Sequence, residues 1–279
     1  MTDYGKKIGD HPGKIRSWLY IRDDFRESFQ KLQESGCLEK RDENNLLWQT
    51  SEKYVMKIPV GNPEHVVYKT YVKIKNQRKF LFRYSPCGKE AENIQLFAKH
   101  GFPMVKLLAS GDVRTFFFLK KSFIMTEFAE GFRDGRDFFT GENNDPEQCF
   151  EFIRRNLILL AKCHDLRIWH KGFTPANLLY SVKKGSGAPS GFELDLRWID
   201  VATCKKMRTH FPFGCRVDDL CQFFRFFSFS DNELLEFLKI YCEHSESESV
   251  SPETLFSKLH PVLMKKSAKF REKLARINR

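Results

Sequence analysis

Long apolar runs are missing from this sequence. No stretch approaches the roughly 18 residues that a bilayer-spanning helix needs. Paired thiols are missing too. The eight cysteines, Cys37, Cys87, Cys149, Cys163, Cys204, Cys215, Cys221 and Cys242, form no C-x-x-C pair. Cys204, His210, Cys215 and Cys221 lie near one another in sequence, but their spacing fits no common zinc pattern. Residues Met1 to Lys14 are polar and glycine-bearing and lack the apolar stretch of a secretory leader. The expectation is therefore reduced thiols in a cytoplasmic protein. There is no internal repeat and no recognised nucleic-acid-binding motif, so no nucleic-acid partner is expected. A G-x-G-x-x-G loop is also absent, with Val60-Gly61-Asn62 its nearest approach.

Aromatic residues and positive charge are abundant. Of 279 residues, 41% are hydrophobic and 28 are phenylalanine, enough for a substantial core. Phe223, Phe224, Phe226, Phe227 and Phe229 recur at near-helical spacing, which reads as core or, more sharply, as a partner surface. The formal net charge of +11 favours anionic partners such as nucleotide phosphates or anionic lipid. It is densest in Lys265, Lys266, Lys269, Arg271, Lys273, Arg276 and Arg279, interleaved with Phe270, Leu274 and Ile277. That pattern suggests an amphipathic helix, either a solvated face of the domain or a contact with a membrane surface.

The hydrophobic pattern changes along the chain. Residues 1–46 are charged and mixed and read as an N-terminal extension with one short helix, Ser28 to Gly36. Trp48 to Val60 and His65 to Ile74 are rich in β-branched and aromatic residues around a Gly61-Asn62-Pro63 turn, which predicts an antiparallel hairpin. A basic stretch, Lys73 to Arg83, links onward, and Ser85-Pro86 opens a helix that Gly101 ends. Three strands follow: Val105 to Ser110, Thr115 to Leu119 and Ser122 to Glu127. The second half predicts helices over Pro146 to His164, Asp218 to Phe227, Asp231 to Glu243 and Pro252 to Arg276. Strands are expected at Leu178 to Val182 and Leu194 to Val201, with a glycine/serine loop at Lys183 to Ser190. The predicted class is α+β and bilobal, with a β-rich lobe over 47–130 and a mainly helical lobe over 131–279.

A few residues carry chemistry in this frame. Lys69 sits mid-strand among apolar neighbours, where it is either an outward lysine or a charge that needs a partner. Glu90, early in the next helix, is the candidate partner or simply compensates the helix dipole. The segment from Ile168 to Tyr180 follows a long helix and holds His170 and Asn177 seven residues apart. About twenty residues later Asp200 ends an apolar strand, where Asn177 and Asp200 are a turn asparagine and a strand cap, or two hard oxygen ligands for Mg²⁺. Phosphoryl transfer from ATP calls for this set: a lysine on the phosphates, a helix carboxylate holding it, and an asparagine and an aspartate on magnesium.

These motifs resemble the bacterial lipopolysaccharide kinase family, which includes Kdo and heptose kinases. The resemblance rests on Val66 to Lys69, the helix from Lys89 to Gly101, His164 through Leu179, Ile199-Asp200 and Arg216 to Leu220. It implies a protein-kinase-like fold and ATP- and Mg²⁺-dependent phosphorylation of a sugar hydroxyl on the lipopolysaccharide inner core. The implied partners are ATP and an anionic glycolipid or sugar acceptor, with peripheral contact at the cytoplasmic face of the inner membrane. Lys69 and Glu90 take the nucleotide-binding positions, and the backbone of Glu127 and Ala129 takes the adenine position. Asn177 and Asp200 take the metal positions, and Asp219 the anchor of the catalytic loop. His170 and Lys171 fall in that loop. The family's catalytic aspartate falls on Gly172, which has no group to accept a proton. Two readings follow, an active kinase or a catalytically impaired nucleotide binder. Asp165, at the preceding helix end, is a substitute base or a structural cap.

Overall fold

Strand β3 (Lys53–Pro59) alternates in burial, as expected of a sheet covered unequally on its two faces, whereas β4 (His65–Tyr71) buries Tyr68, Lys69 and Thr70 in succession. The structure is a computed structural model. It describes residues 15–39, 41–61, 64–74, 80, 84–115, 118–143, 145–184, 191–246 and 250–277, with the backbone alone for 15–19, 184 and 271–277. Asn62-Pro63, much of the Lys73 to Arg83 stretch, the loop at 185–190 and the last two residues lie outside the described residues. The chain forms two units, Met1–Glu130 and Gly131–Arg279.

In the first unit, β1 (Ile15–Ile21), β5 (Leu107–Thr115), β6 (Phe118–Glu127), β4, β3 and β2 (Leu46–Gln49) form an antiparallel sheet in that order. The expected hairpin of two strands contains a third. Thr50 Oγ1 accepts the Glu52 and Lys53 N–H groups at 3.2 and 3.3 Å and turns the chain between β2 and β3. The three expected strands after the helix are two long ones. Gly111 reads as a break but lies within β5, facing Leu19 on one side and Phe123 on the other. Neighbours on both edges hold a residue of poor strand propensity in the ladder. Residues 1–46, expected as an extension, contribute to this unit over 15–39. β1 pairs with β5, and Phe25, Phe29, Leu32 and Leu38 on and around α1 (Arg26–Glu34) pack with Met56, Tyr68 and Met125. Helix α2 (Pro86–Lys99) packs against β5 and β6.

The second unit is mainly helical. Asp145 caps α4 (Pro146–Asp165), its side chain accepting the Glu147 and Gln148 N–H groups at 3.0 Å, and Pro146 takes the first turn. Phe152, Ile153, Leu157 and Leu160 on α4 are buried. Strand β7 (Arg133–Asp134) pairs with β9 (Leu178–Lys184), which pairs with β10 (Phe192–Trp198). Strand β8 (Ile168–Trp169) pairs with β11 (Lys205–Lys206). Helix α3 (Asp137–Thr140) is short, and α5 (Phe213–Phe224), α6 (Asp231–Glu243) and α7 (Pro252–Ile277) follow in turn. Helix α5 starts at Phe213 rather than at Asp218, because Pro212 has extended backbone angles and the turn after it is helical. It also stops earlier than expected. Phe223 and Phe224 are therefore core, while Phe226, Phe227 and Phe229 fall beyond the helix. With Phe139, Met264 and Phe270 these three line a cavity of about 300 Å³. No helix among the described residues is long and apolar enough to cross a membrane.

Candidate active site

Lys69 is buried at the centre of β4, facing Val55 on β3 and Ile124 on β6. A buried ammonium needs a counter-charge close by. Glu90 supplies it: Lys69 Nζ donates to Glu90 Oε2 at 2.8 Å, and both residues are under 10% exposed. The helix that carries Glu90 is tied to the strands beside Lys69. Ser85 caps α2 by accepting the Gly88 N–H at 2.9 Å. The Ser122 hydroxyl on β6 bonds the Ser85 hydroxyl at 2.8 Å, and Thr70 Oγ1 on β4 donates to the Ser122 carbonyl at 3.1 Å. The glutamate is thus fixed both along its helix and against the sheet.

At the end of β6, the N–H of Glu127 donates to the Lys106 carbonyl at 3.0 Å, and its carboxylate accepts the Lys106 N–H at 3.0 Å. Its backbone donor is therefore committed inside the protein. The N–H of Ala129 forms no hydrogen bond among the described residues.

In the second unit, the segment between β8 and β9 is clamped group by group. Asp219 on α5 is wholly buried and accepts two backbone N–H groups, His170 on Oδ2 and Lys171 on Oδ1, both at 2.8 Å. Three successive carbonyls accept side-chain donors. The His170 carbonyl takes Thr203 Oγ1 at 3.3 Å and Cys204 Sγ at 3.4 Å. The Lys171 carbonyl takes Gln222 Nε2 at 2.9 Å, and the Gly172 carbonyl takes Asn177 Nδ2 at 2.9 Å. These bonds hold Lys171 in the left-handed region at φ 64°, which an ordinary side chain disfavours. Its ammonium lies 4.7 Å from the centre of the Trp169 ring.

The His170 ring is wholly buried between Phe173 and Trp198, at 5.3 and 5.4 Å between ring centres. Burial pushes its pKa down to about 4. A neutral ring sealed from solvent cannot touch a substrate, so His170 belongs to the framework and not to the reacting groups. Gly172 is not held by backbone need. Its φ is not positive, and a Cβ there would meet Thr203 Oγ1 at 3.4 Å and Asn177 Nδ2 at 3.7 Å, ordinary contact distances. Asp165 is committed elsewhere, accepting the Ser245 hydroxyl and the Glu246 N–H, each at 2.8 Å.

Asn177 and Asp200 are brought to neighbouring positions. β9 and β10 pair from Leu178 opposite Trp198, and the Ile199 N–H donates to the Asn177 carbonyl at 3.0 Å. The two residues thus leave adjacent strands at the same end. The Asn177 amide nitrogen is engaged with Gly172, and its Oδ1 accepts no hydrogen bond among the described residues. Asp200 is exposed and left-handed at φ 54°, a conformation that aspartate tolerates better than most residues. A carboxylate and an amide oxygen are the hard donors that Mg²⁺ prefers. The residues present therefore fit the metal.

The motif spacing pointed to Lys69, Glu90, Asn177 and Asp200, and the family resemblance to Asp219. It missed Thr203, Cys204 and Gln222, because each acts by reaching a carbonyl that is distant in sequence, and no local pattern marks such a reach.

Comparisons with known proteins bear on the family and the fold. Residues 44–241 match the family model described as the lipopolysaccharide kinase (Kdo/WaaP) family. Among curated proteins, none matches this sequence. The solved structure "WaaP in complex with acyl carrier protein" is similar over 90% of this chain and 98% of its own, with 14% identity and a TM-score of 0.61. The Rio2 kinase–ADP/Mg²⁺–phosphoaspartate complex from Chaetomium thermophilum covers 96% of this chain and 81% of its own, at 14% identity and a TM-score of 0.50. These likenesses give the chain a protein-kinase-like α+β fold. With a family match that spans both units, the chain belongs to the lipopolysaccharide kinase (Kdo/WaaP) family.

Proposed function

We propose that this protein is an ATP-dependent kinase that phosphorylates a sugar hydroxyl of the lipopolysaccharide inner core, Kdo or heptose, at the cytoplasmic face of the inner membrane. The observation that carries this reading is the placement of Asn177 and Asp200 at the shared end of β9 and β10, beside a loop clamped by Asp219. Lys69, held by Glu90, binds the nucleotide phosphates. The Ala129 N–H and the Glu127 carbonyl are the backbone groups assigned to adenine, since the Glu127 N–H is already used. Asn177 Oδ1 and the Asp200 carboxylate hold Mg²⁺. When bound, the ion neutralises phosphate charge. The loop backbone orients the acceptor, and Lys171 lies next to the position where the family has its aspartate.

Surface charge supports an anionic glycolipid acceptor and peripheral membrane contact. On α7, Lys258, Val262, Lys265 and Lys269 are exposed and follow helical spacing along one ridge. No acidic residue occurs from Thr254 to Phe270. Each lysine near an anionic bilayer contributes about 1 kcal/mol.

Gly172 favours a second reading, a nucleotide-binding protein that transfers phosphate slowly or not at all. One assay separates the two. The full chain is incubated with ATP, Mg²⁺ and purified lipid A–core, and the acceptor is weighed by mass spectrometry. A gain of one phosphate, reduced at least about a hundredfold in rate by Asp200→Asn, is the expected result. Nucleotide binding with no mass gain on any core acceptor would overturn the kinase reading and favour the second. Asparagine is chosen because it tolerates the left-handed backbone at 200.

A further inference from the structure

A chain of buried polar groups stands behind Asp219 and continues to α6. His164, in the last turn of α4, is wholly buried. Its Nε2 lies 3.1 Å from Asp219 Oδ2, and its Nδ1 lies 2.7 Å from the Tyr241 hydroxyl on α6. Arg216, on the same helix as Asp219, donates to the Tyr241 oxygen at 2.7 Å and to Ser245 Oγ at 3.4 Å. The Ser245 hydroxyl in turn donates to Asp165 Oδ1 at 2.8 Å. Phe211 stacks on the His164 ring at 4.7 Å between centres and lies 5.3 Å from the Arg216 guanidinium. Arg216 and Tyr241 are buried as well.

Counting hydrogens gives this chain one direction. A guanidinium can only donate, so the Tyr241 oxygen accepts from Arg216. The tyrosine O–H is then the proton available for His164 Nδ1. An ionised carboxylate can only accept, so His164 Nε2 must carry the hydrogen that faces Asp219. A doubly protonated ring would put two donors on the Tyr241 oxygen and leave the tyrosine proton without this acceptor. Burial independently pushes the His164 pKa below the ordinary histidine value.

We infer that Tyr241, pinned by Arg216, locks His164 as the neutral Nε2–H tautomer. His164 is thereby a positioning residue that sets the rotation of the Asp219 carboxylate on the loop. Asp219 Oδ2 serves two donors, His164 and the His170 N–H, while Oδ1 serves the Lys171 N–H. If the bond from His164 slackens, the carboxylate can turn about its own axis. Both loop amides then loosen, just before Gly172. The consequence for phosphate transfer rests on the kinase reading above; the tautomer and the amide clamp do not.

The test uses the full chain, ¹⁵N-labelled. At neutral pH, two-bond nitrogen–proton couplings should show His164 with its hydrogen on Nε2. An Nδ1–H ring or an imidazolium would overturn the inference. Tyr241→Phe removes one oxygen and leaves the packing. It should speed amide exchange at His170 and Lys171 about tenfold, with Leu234 and Leu238 on α6 unchanged. Uniform acceleration through the unit, or none at the two loop amides, would overturn the positioning role. In the phosphate assay, Tyr241→Phe should lower kcat about tenfold at constant KM for ATP. If the wild type transfers no phosphate while both NMR results hold, the kinase reading has failed and the relay stands.

Discussion

In the first unit, Lys69 meets Glu90 through two side chains alone, whereas in the second the 170–172 loop is held almost entirely through its backbone. The difference decides what a single substitution can do. A buried ion pair depends on the identity of its two side chains, and removing either partner is strongly destabilising. A loop whose amides and carbonyls are gripped by Asp219, Gln222, Asn177 and Thr203 keeps its path whatever side chain it bears. That is the physical reason the loop can carry glycine at 172 and still present Asn177 in place. It also separates the path of the loop from the side chains it bears.

The largest effect is expected at Gly172. A Cβ fits there, so Gly172→Asp should fold with an unchanged midpoint of unfolding. If the protein is a kinase short of its base, the rate of phosphate transfer should rise by about 10²–10⁴-fold. An unchanged rate would show that the backbone clamp, and not the missing carboxylate, sets the activity. Next comes the opposite case. Glu90→Ala removes the carboxylate that Lys69 Nζ meets at 2.8 Å in a buried place and should cost about 3–5 kcal/mol in denaturant unfolding. A cost under about 1 kcal/mol would mean that the pair is no more than a surface-like contact.

A comparable effect should appear with pH. The folded-state pKa of His170 lies at about 4, below the ordinary 6.5, so under pH 6.5 the unfolded chain binds the proton and the folded chain does not. Stability is then full above pH 6.5 and falls as pH drops towards about 4, by on the order of 3 kcal/mol from this residue. Urea midpoints measured across that range in the wild type and in His170→Phe check the sign, since the variant should have the flatter acid limb. The smallest effect belongs to the first unit. Ser85→Ala removes the cap of α2 and should cost about 1 kcal/mol. On the proposed function it should also weaken nucleotide binding, because Glu90 rides on that helix.

Much of this molecule is written locally. The helix over Pro146–Asp165 is announced by Asp145-Pro146 and an apolar stripe, and the β3–β4 hairpin by alternating β-branched residues. Asn177 and Asp200 follow from motif spacing along one chain segment. Other features are not local. The 15–21 strand reads as part of a charged extension because its partner, β5, lies far along the chain. Gly111 reads as a break because its two flanking strands cannot be seen from its neighbours in sequence. The phenylalanine run reads as one stripe, yet the helix ends at Phe224, so that Phe226, Phe227 and Phe229 leave the helical spacing and line the cavity together with Phe224.

Sequence by itself pointed to the fold class, the family resemblance and the lysine–glutamate pairing, because periodicity and motif spacing are short-range properties of the chain. Tertiary structure alone decided that His170 is framework, that Asp165 is occupied, that Gly172 has room for a Cβ, and that Tyr241 and Arg216 stand behind the loop. Each of these depends on which distant group fills a buried hydrogen bond or an empty volume, and only the folded chain brings those groups within 3 Å or so of one another.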